Sequence, residues 1–406
     1  MNMPNLNKRG FTIVELIVVI TIIGILAAIT VVSYTGMTQR AVVVSLQSDL
    51  DNASSLIAAF QFADPNGNYP TAINCPTPGA TEICLTPSGS NNFGSYAANN
   101  VASPKTFTLD VASSDGTTYR VTDNSTPAAV TPMTAIAATT GVTTSIGSVL
   151  TAGDLAPSGA TATYQWQSAT SAGGTYVNIG GANSNTYTLI VSDFGKYLKV
   201  VATGSGSYSG TRTSAASAVV SDTNWLAVGN QVWGKYNLDV GNMITTATDQ
   251  TNNAVLEKYC YANTASNCTT YGGLYQWDEA VQYVNTQGAQ GICPAGSHIP
   301  SDNDLKILEV QLGMTQAQAD LDAAWRGTDQ GTQLKTGGTS GLNVPFAGYY
   351  RKTDGTFGNL SLATDLWSSS ESSTSAWSHT LSSSNATVYR GIHAKSVGFS
   401  VRCLGN

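Results

Sequence analysis

A long apolar segment near the N-terminus constrains this chain more than any other feature. From Phe11 to Gln39 the only charged side chain is Glu15, and Lys8 and Arg9 stand just before the segment. A run of this length can cross a hydrocarbon core of about 30 Å as one helix. Because cationic residues stay on the cytoplasmic side, Lys8 and Arg9 predict that the N-terminus is inside and the remainder outside.

The composition narrows the class of protein further. The 406 residues include 18 Lys and Arg against 25 Asp and Glu, which gives a net charge of −7, and they contain no basic run. A nucleic-acid-binding protein needs a basic patch to neutralise phosphates, so this class is excluded as a first expectation. The length allows about two to four domains of ordinary size.

The segment KRG-FTIVELIVVITIIGILAAI resembles the class III signal of type IV pilins and their relatives. An ordinary signal peptide differs, because its small-residue cleavage site follows the apolar run. The resemblance implies that residues 1–10 are a leader, that prepilin peptidase cuts between Gly10 and Phe11, and that Phe11 is then N-methylated. It also implies two further partners, namely other pilin copies in a helical filament and an inner-membrane assembly platform.

Glu15 is predicted to act in filament assembly. A carboxylate inside a membrane helix costs about a few kcal/mol, so it needs a partner. Cleavage after Gly10 would create an α-amine at Phe11, which can pair with Glu15 on the same helix or on a neighbouring subunit. The alternative is an unpaired Glu15 that reaches the headgroup region.

The N-terminal helix is expected to continue to about residue 63. Apolar side chains recur at helical spacing between Ala41 and Phe60, which indicates an amphipathic second half that packs on a head. No proline occurs between Phe11 and Asp64, so a bend would have to come from Gly24 or Gly36.

The head is predicted to complete a pilin domain over residues 11–125. Residues 106–112 and 117–122 flank a Ser-Asp-Gly turn and predict a β-hairpin. Cys75 and Cys84 enclose a proline-rich loop that a disulfide can close. A long helix with a small antiparallel sheet is the architecture expected of a pilin.

Residues 126–221 resemble a bacterial immunoglobulin-like stalk module. Trp166 is similar to the core tryptophan of such domains, and residues 193–197 are similar to their tyrosine corner. No cysteine lies between Cys84 and Cys260, so the inter-sheet disulfide of antibody domains is absent. The resemblance implies a β-sandwich that acts as a spacer.

Residues 222–406 resemble the Fibrobacter major paralogous domain, in the motifs Ile-Cys-Pro-Ala-Gly at 292–296 and Ser-Val-Arg-Cys at 400–403. The resemblance implies a C-type-lectin-like α+β fold related to formylglycine-generating enzymes. It also implies that Cys293 pairs with Cys403, which leaves Cys260 and Cys268 for a local bridge.

No catalytic residue, metal or cofactor is predicted. The enzyme relatives need unpaired cysteines, whereas all four C-terminal cysteines have expected partners, and no carboxylate stands with a histidine in a recognisable general-base pair. His379 and His393 are expected in an exposed loop, and residues 368–384 at a turn-rich edge. Trp367 and Trp377 can form a sugar-stacking surface, although core packing is more common for tryptophan.

The sequence thus predicts an α+β multidomain protein. Its expected function is a structural subunit of a type IV pilus or related filament, held in the cytoplasmic membrane before assembly and extracellular afterwards. Alternatives are a minor tip pilin that binds a glycan or protein ligand, a secretion pseudopilin, and an enzyme displayed on a filament.

Overall fold

The computed structural model describes residues 12–123, 125–141 and 143–406. Its longest element is helix α1, Ile13–Ala63, whose 51 residues make it about 75 Å long. The helix runs without interruption through Gly24 and Gly36 and ends at Asp64, where the backbone becomes extended. The predicted helix is therefore confirmed over the part that the structure describes.

The second half of α1 packs on a small antiparallel sheet. The sheet contains β1 (Asn92–Asn99), β2 (Thr106–Ala112), β3 (Thr118–Thr122) and β4 (Ala128–Pro132), each paired with the next. The predicted hairpin is confirmed as β2 and β3. The helix contributes residues about one turn apart to the core, which line up on one face: Leu46, Leu50, Ala53 and Ile57.

The middle of the chain consists of short strands. Their pairs are β5 with β7, β6 with β10, β8 with β9, and β11 with β13, all antiparallel, while β12 lies parallel to β4. The strands are β5 (Ala135–Ile136), β6 (Val149–Thr151), β7 (Leu155–Ala156), β8 (Ala162–Ala169), β9 (Val177–Asn178), β10 (Thr186–Thr188), β11 (Tyr197–Gly204), β12 (Tyr208–Ser209) and β13 (Thr211–Thr213).

Trp166 of β8 is fully buried, and its indole N–H donates to the Ser184 carbonyl oxygen at 2.9 Å. The hydroxyl of Tyr187 donates a hydrogen bond to the Asp193 carboxylate at 2.9 Å. In the predicted tyrosine corner, residues 193–197, the tyrosine was Tyr197 instead. A buried tryptophan and a tyrosine–carboxylate bond suit any β-sandwich core, so the immunoglobulin-like assignment stays a prediction.

The C-terminal part combines short helices with longer strands. The helices are α2 (Ala265–Tyr271), α3 (Trp277–Ala280), α4 (Asp302–Gln311), α5 (Gln316–Ala319) and α6 (Gln330–Leu334). The strands are β14 (Trp225–Val228), β15 (Gln231–Gly234), β16 (Asn242–Ile244), β17 (Glu257–Tyr259), β18 (Ser297–His298), β19 (Ala324–Arg326), β20 (Ala347–Arg351), β21 (Thr356–Leu360), β22 (Ala363–Ser372), β23 (Ser375–Ser382), β24 (Val388–Ala394) and β25 (Leu404–Gly405).

A six-stranded sheet organises this part, in the order β19-β24-β23-β22-β20-β21. Successive residues of a strand point to opposite faces, and the sheet accordingly separates two apolar clusters. Leu366 joins the cluster that includes Leu305 and Leu308 of α4, whereas its neighbour Trp367 joins the cluster around Trp277. A second sheet, β14-β15-β25-β18, brings together the two ends of this part of the chain.

The sequence also predicts a helix at about residues 280–287. This prediction is wrong, because only the single turn α3 is present and Gln282 and Tyr283 then adopt positive φ values of 54° and 60°. A second local prediction is also wrong. The Ser-rich segment 368–384 is not an edge, because it forms most of β22 and β23, the two central strands of the six-stranded sheet.

Contacts group the chain into two compact units. The first contains Met1–Ile136, Asp154–Tyr164 and Val201–Thr213. The second contains Ala137–Gly153, Gln165–Val200 and Ser214–Asn406. Residues of the predicted middle segment 126–221 thus occur in both units, and the predicted domain boundaries stay predictions.

Candidate functional site

The first half of α1 presents an apolar surface that nothing else in the described chain covers. The most apolar 18-residue stretch has a mean hydropathy of 2.9 and no buried residue. Its large apolar side chains, from Ile13 to Met37, are between 48% and 78% exposed. The helix is long and apolar enough to cross a membrane. Surface of this extent has to be covered by lipid or by other helices.

Glu15 forms a capping box with Thr12 at the start of α1. The Glu15 carboxylate accepts hydrogen bonds from the Thr12 amide at 2.9 Å and from the Thr12 hydroxyl at 2.8 Å. The hydroxyl in turn accepts the Glu15 amide hydrogen at 3.3 Å. These bonds satisfy free amides of the first turn, and the helix dipole favours the carboxylate there. Sequence analysis missed Thr12, although Thr-x-x-Glu before an apolar run is the signature of this motif.

Gly10 and Phe11, the predicted cleavage and methylation residues, lie outside the described residues. The predicted pairing of Glu15 with the Phe11 amine therefore stays a prediction. Cleavage after Gly10 would make Thr12 the second residue of the mature chain. The capping box would then hold the Glu15 carboxylate within one turn of the new amine, the position that the assembly hypothesis requires.

All six cysteines are paired. The bonds are Cys75–Cys84, Cys260–Cys268 and Cys293–Cys403, as the sequence analysis predicted. The last one joins residues that are 110 positions apart and fixes the C-terminal strand β25 near the segment before β18. All six thiols are therefore in disulfides, and the described chain has no free cysteine.

The two tryptophans proposed for ligand stacking differ in accessibility. Trp367 has no exposed surface, because it packs against Phe399 at 4.5 Å between ring centres and donates to the Tyr275 carbonyl oxygen at 2.8 Å. It is a core residue, and its predicted ligand contact is wrong. Trp377 is half-buried, and the Arg390 guanidinium lies 3.7 Å from its ring centre. One face of Trp377 is therefore already occupied by a cation.

His379 belongs to a buried ionic network that the sequence analysis did not find. It is 2% exposed rather than in an exposed loop, and its Nδ1 and Nε2 lie 2.6 Å from Glu309 and 3.0 Å from Asp302. Arg390 donates to Asp302 at 2.7 and 2.8 Å, and Arg326 contacts Glu309. The network joins helix α4 to strands β19, β23 and β24.

The charges in this network stabilise one another. Burial alone would raise the pKa values of Asp302 and Glu309, but hydrogen bonds from His379 and Arg390 lower that of Asp302. The charge of His379, its hydrogen bond and the charge of Arg326 lower that of Glu309. Burial alone would lower the pKa of His379, but the attraction of Glu309 and the bond to Asp302 raise it. Because each group is paired and buried, the network has a structural role.

A cleft of about 370 Å³ opens on the other face of the same sheet. In the register of β22 and β23, Leu366 faces His379 and Asp365 faces Thr380, so Asp365 and Thr380 lie on the face opposite the network. The other residues that line the cleft are Tyr349, Arg351, Asn359, His393, Val397 and Phe399.

Among the described residues, Asp365 is the only carboxylate that lines this cleft. It is 7% exposed and accepts a hydrogen bond from the Thr380 hydroxyl, and no salt bridge to it forms within the described residues. Burial raises the pKa of Asp365 to about 6. A desolvated carboxylate in a cleft is a common mark of a functional site.

A second cleft, of about 640 Å³, contains more charges, but they are paired. Lys352 contacts Asp249 at 2.6 Å, and Lys395 contacts Glu371 and Asp278. Glu279 is buried, which raises its pKa, and it accepts hydrogen bonds from the Glu257 amide and the Tyr283 hydroxyl, both at 2.8 Å. The Asp365 cleft is therefore the stronger candidate for a ligand.

Comparison with known proteins identifies both ends of the chain. Residues 5–31 match the prokaryotic N-terminal methylation motif. The chain carries a type IV pilin signal. Residues 226–404 match the Fibrobacter succinogenes major domain, so the Fibrobacter domain contains both clefts and the ionic network. No curated protein and no solved structure matches the chain. The lectin-like assignment of the Fibrobacter domain stays a prediction.

Proposed function

We propose that this protein is a structural subunit of a type IV pilus or related extracellular filament. Its helix α1 would polymerise with the helices of other subunits, and its C-terminal parts would be displayed outward. The observation that carries the proposal is the uncovered apolar half of α1. This half overlaps the segment that matches the N-terminal methylation motif.

The two halves of α1 have different environments, and this difference supports the filament role. The head needs the second half of the helix, where the buried residues begin at Leu46. The first half has no partner in the described chain and adds nothing to the core of the head. A surface of this kind is suited to lipid before assembly and to neighbouring helices after it.

The proposal includes three partners: prepilin peptidase for processing, the inner-membrane platform for assembly, and other pilin subunits in the fibre. It includes no catalytic step, since all six cysteines are in disulfides. A free thiol found on titration of the folded chain would count against this part of the proposal.

A second candidate is a minor tip subunit that recognises a ligand through the Fibrobacter domain. The Asp365 cleft favours this candidate, because an exposed cleft with a carboxylate that has no cationic partner is suited to binding a ligand and is not needed for a purely structural role. A secretion pseudopilin would carry the same N-terminal signal.

Immunogold imaging of native filaments, with antibody against the Fibrobacter domain, tests the proposal. Label repeated along the shaft is expected for a structural subunit, and label at one end would identify a tip subunit. Filaments without label, while the chain stays in the membrane fraction, would contradict both and favour the pseudopilin.

A further inference from the structure

We propose that the Asp365 cleft binds a primary ammonium group, with the Asp365 carboxylate as its counter-ion. This goes beyond the filament role, because it assigns a ligand chemistry to the Fibrobacter domain. It does not depend on whether the subunit lies in the shaft or at the tip.

Asp365 differs from every other buried carboxylate in the described chain. Eight Asp and Glu side chains are buried, and seven of them have either an arginine partner or a backbone amide donor. Asp365 has neither, because its one hydrogen-bond donor is the Thr380 hydroxyl. The arginine-paired carboxylates are Asp110, Asp302 and Glu309, and the amide-bonded ones are Asp49, Asp193, Glu257 and Glu279.

This exception leaves one oxygen of the carboxylate open to a donor in the cleft. A buried charge without a partner is unfavourable, and the chain avoids it at the other seven positions. The Thr380 hydroxyl binds Oδ1 of Asp365, so Oδ2 has no donor among the described residues. An ammonium group has three N–H donors and a positive charge. It would therefore give Oδ2 a hydrogen-bond donor and give the carboxylate a counter-ion.

The rest of the cleft accepts a cation. Phe399 and Tyr349 supply aromatic rings to the lining, and the Arg351 guanidinium already lies 5.9 Å from the centre of the Tyr349 ring. Arg351 is at the rim and is already paired with Asp354 at 3.2 Å. His393 contacts the Ser378 hydroxyl at 2.9 Å, and burial lowers its pKa, so it is neutral at pH 7 and does not repel a cation.

The volume of about 370 Å³ suits a small group rather than a polymer. Three sources offer the same chemistry: a free alkylamine, an amino sugar and a lysine side chain. All three present one primary ammonium group, and they differ in what surrounds it.

Titration calorimetry of the full-length chain in detergent at pH 7.5 tests the proposal. The probes are n-butylamine, D-glucosamine and Nα-acetyl-lysine amide, with D-glucose as the neutral match for glucosamine. At least one amine is expected to bind and glucose is not, and the tightest amine shows whether the source is an alkylamine, an amino sugar or a lysine. Absence of binding by all three amines, or equal binding of glucose and glucosamine, would overturn the proposal.

Two variants locate the binding. Asp365→Asn keeps the shape and removes the charge, and it should weaken amine binding by about tenfold or more. Asp329→Asn is the matched control, since it removes one exposed carboxylate that does not line the cleft, and its affinity should stay within about threefold of the wild type. Equal effects of the two variants would show that the cleft does not hold the amine. Unchanged near-ultraviolet circular dichroism verifies that both variants are folded.

The pH dependence gives an independent check. The other titratable groups that line the cleft are Tyr349, Arg351 and His393. As pH falls from 7 to 5, Asp365 takes up a proton, and affinity should fall by about tenfold. The fall should persist in His393→Gln. If His393→Gln removes it, the charge on His393 is responsible and the assignment to Asp365 is wrong. None of these outcomes bears on filament assembly, which is measured separately.

Discussion

Asp365 shows how one side chain can be unfavourable for folding and useful for binding. It lies on a central strand, buried, with a single hydroxyl donor. Sites of this kind lower the stability of the fold in return for activity. The carboxylate should therefore reduce stability when it is ionised and no ligand is bound.

We expect Asp365→Asn to stabilise the Fibrobacter domain at pH 8 and to change little at pH 4. The pKa of Asp365 is raised from 3.8 to about 6 on folding, so the native state favours the protonated form. The stability associated with that form is present below about pH 4 and is lost as pH rises through 6. A shift of about two units corresponds to about 3 kcal/mol, which the asparagine variant should recover at pH 8.

Urea unfolding at the two pH values measures this effect. Tryptophan fluorescence reports mainly on the Fibrobacter domain, because six of the seven tryptophans lie in residues 222–406. A variant that is less stable than the wild type at pH 8, or equally changed at both pH values, would show that Asp365 is not an unfavourable charge.

Individual functional residues could be predicted from the sequence only where neighbouring residues in the chain form a recognisable pattern. Glu15 was found because a lone carboxylate in an apolar run is visible in the sequence, and Thr12 carries a local signature that could have been found. Asp365 and His379 could not be found in this way. Their burial depends on the register of β22 and β23 and on packing against α4, which ends more than 50 residues before β22 begins.

The elements follow the same rule. Helix α4 is capped by Ser301, whose side chain accepts the Asp304 amide hydrogen, and the predicted hairpin β2–β3 forms around its Ser-Asp-Gly turn. The Ser-rich strands β22 and β23 were missed because strand prediction relies on β-branched and aromatic residues. Four of their serines, Ser368, Ser369, Ser370 and Ser378, are buried. Tertiary hydrogen bonds, such as the one from the Asp302 amide to Ser370 Oγ, compensate for low strand propensity.

The ionic network makes a testable contribution at the scale of the elements. Glu309→Gln would leave Arg326 and His379 buried beside a neutral group, so we expect a loss of about 3–5 kcal/mol in the free energy of unfolding. The control is Glu371→Gln, which removes a partly exposed carboxylate beside Lys395 and should change stability by less than about 1 kcal/mol. Urea unfolding at pH 6 compares them, and similar losses would contradict a special role for the network.

The network also has a defined pH range. Asp302 and Glu309 have lowered pKa values, so their contribution is present above the unfolded value near 4 and is lost as pH falls through the folded values. His379 has a raised pKa, so its contribution is present below about 6.5 and is lost as pH rises through its folded value. The stability difference between wild type and Glu309→Gln should therefore be largest between about pH 5 and 6.5.

At the scale of the whole molecule, we predict that assembly depends on Glu15. Its carboxylate has partners only in Thr12 within the described chain, which leaves it able to accept a further cation. We expect Glu15→Ala and Glu15→Gln to leave cleavage and the folded head intact and to reduce incorporation into filaments, because both lose the ion pair in a medium of low dielectric.

Mature protein in the membrane fraction, compared with protein in sheared filaments, measures this effect. Thr12→Val is an informative companion, since it removes the capping hydroxyl and keeps the Glu15 charge. Filaments built at normal yield by both Glu15 variants would show that apolar helix packing alone sets the register.

The central claim is that this chain enters a filament through a processed N-terminal helix. Mass spectrometry of the N-terminal peptide from sheared extracellular filaments tests it most directly. The account predicts a peptide that begins at Phe11, carries one N-methyl group and lacks residues 1–10, and it predicts that Gly10→Val yields no such peptide. A filament-borne chain that still begins at Met1, or a cleaved chain found only in membranes, would contradict it.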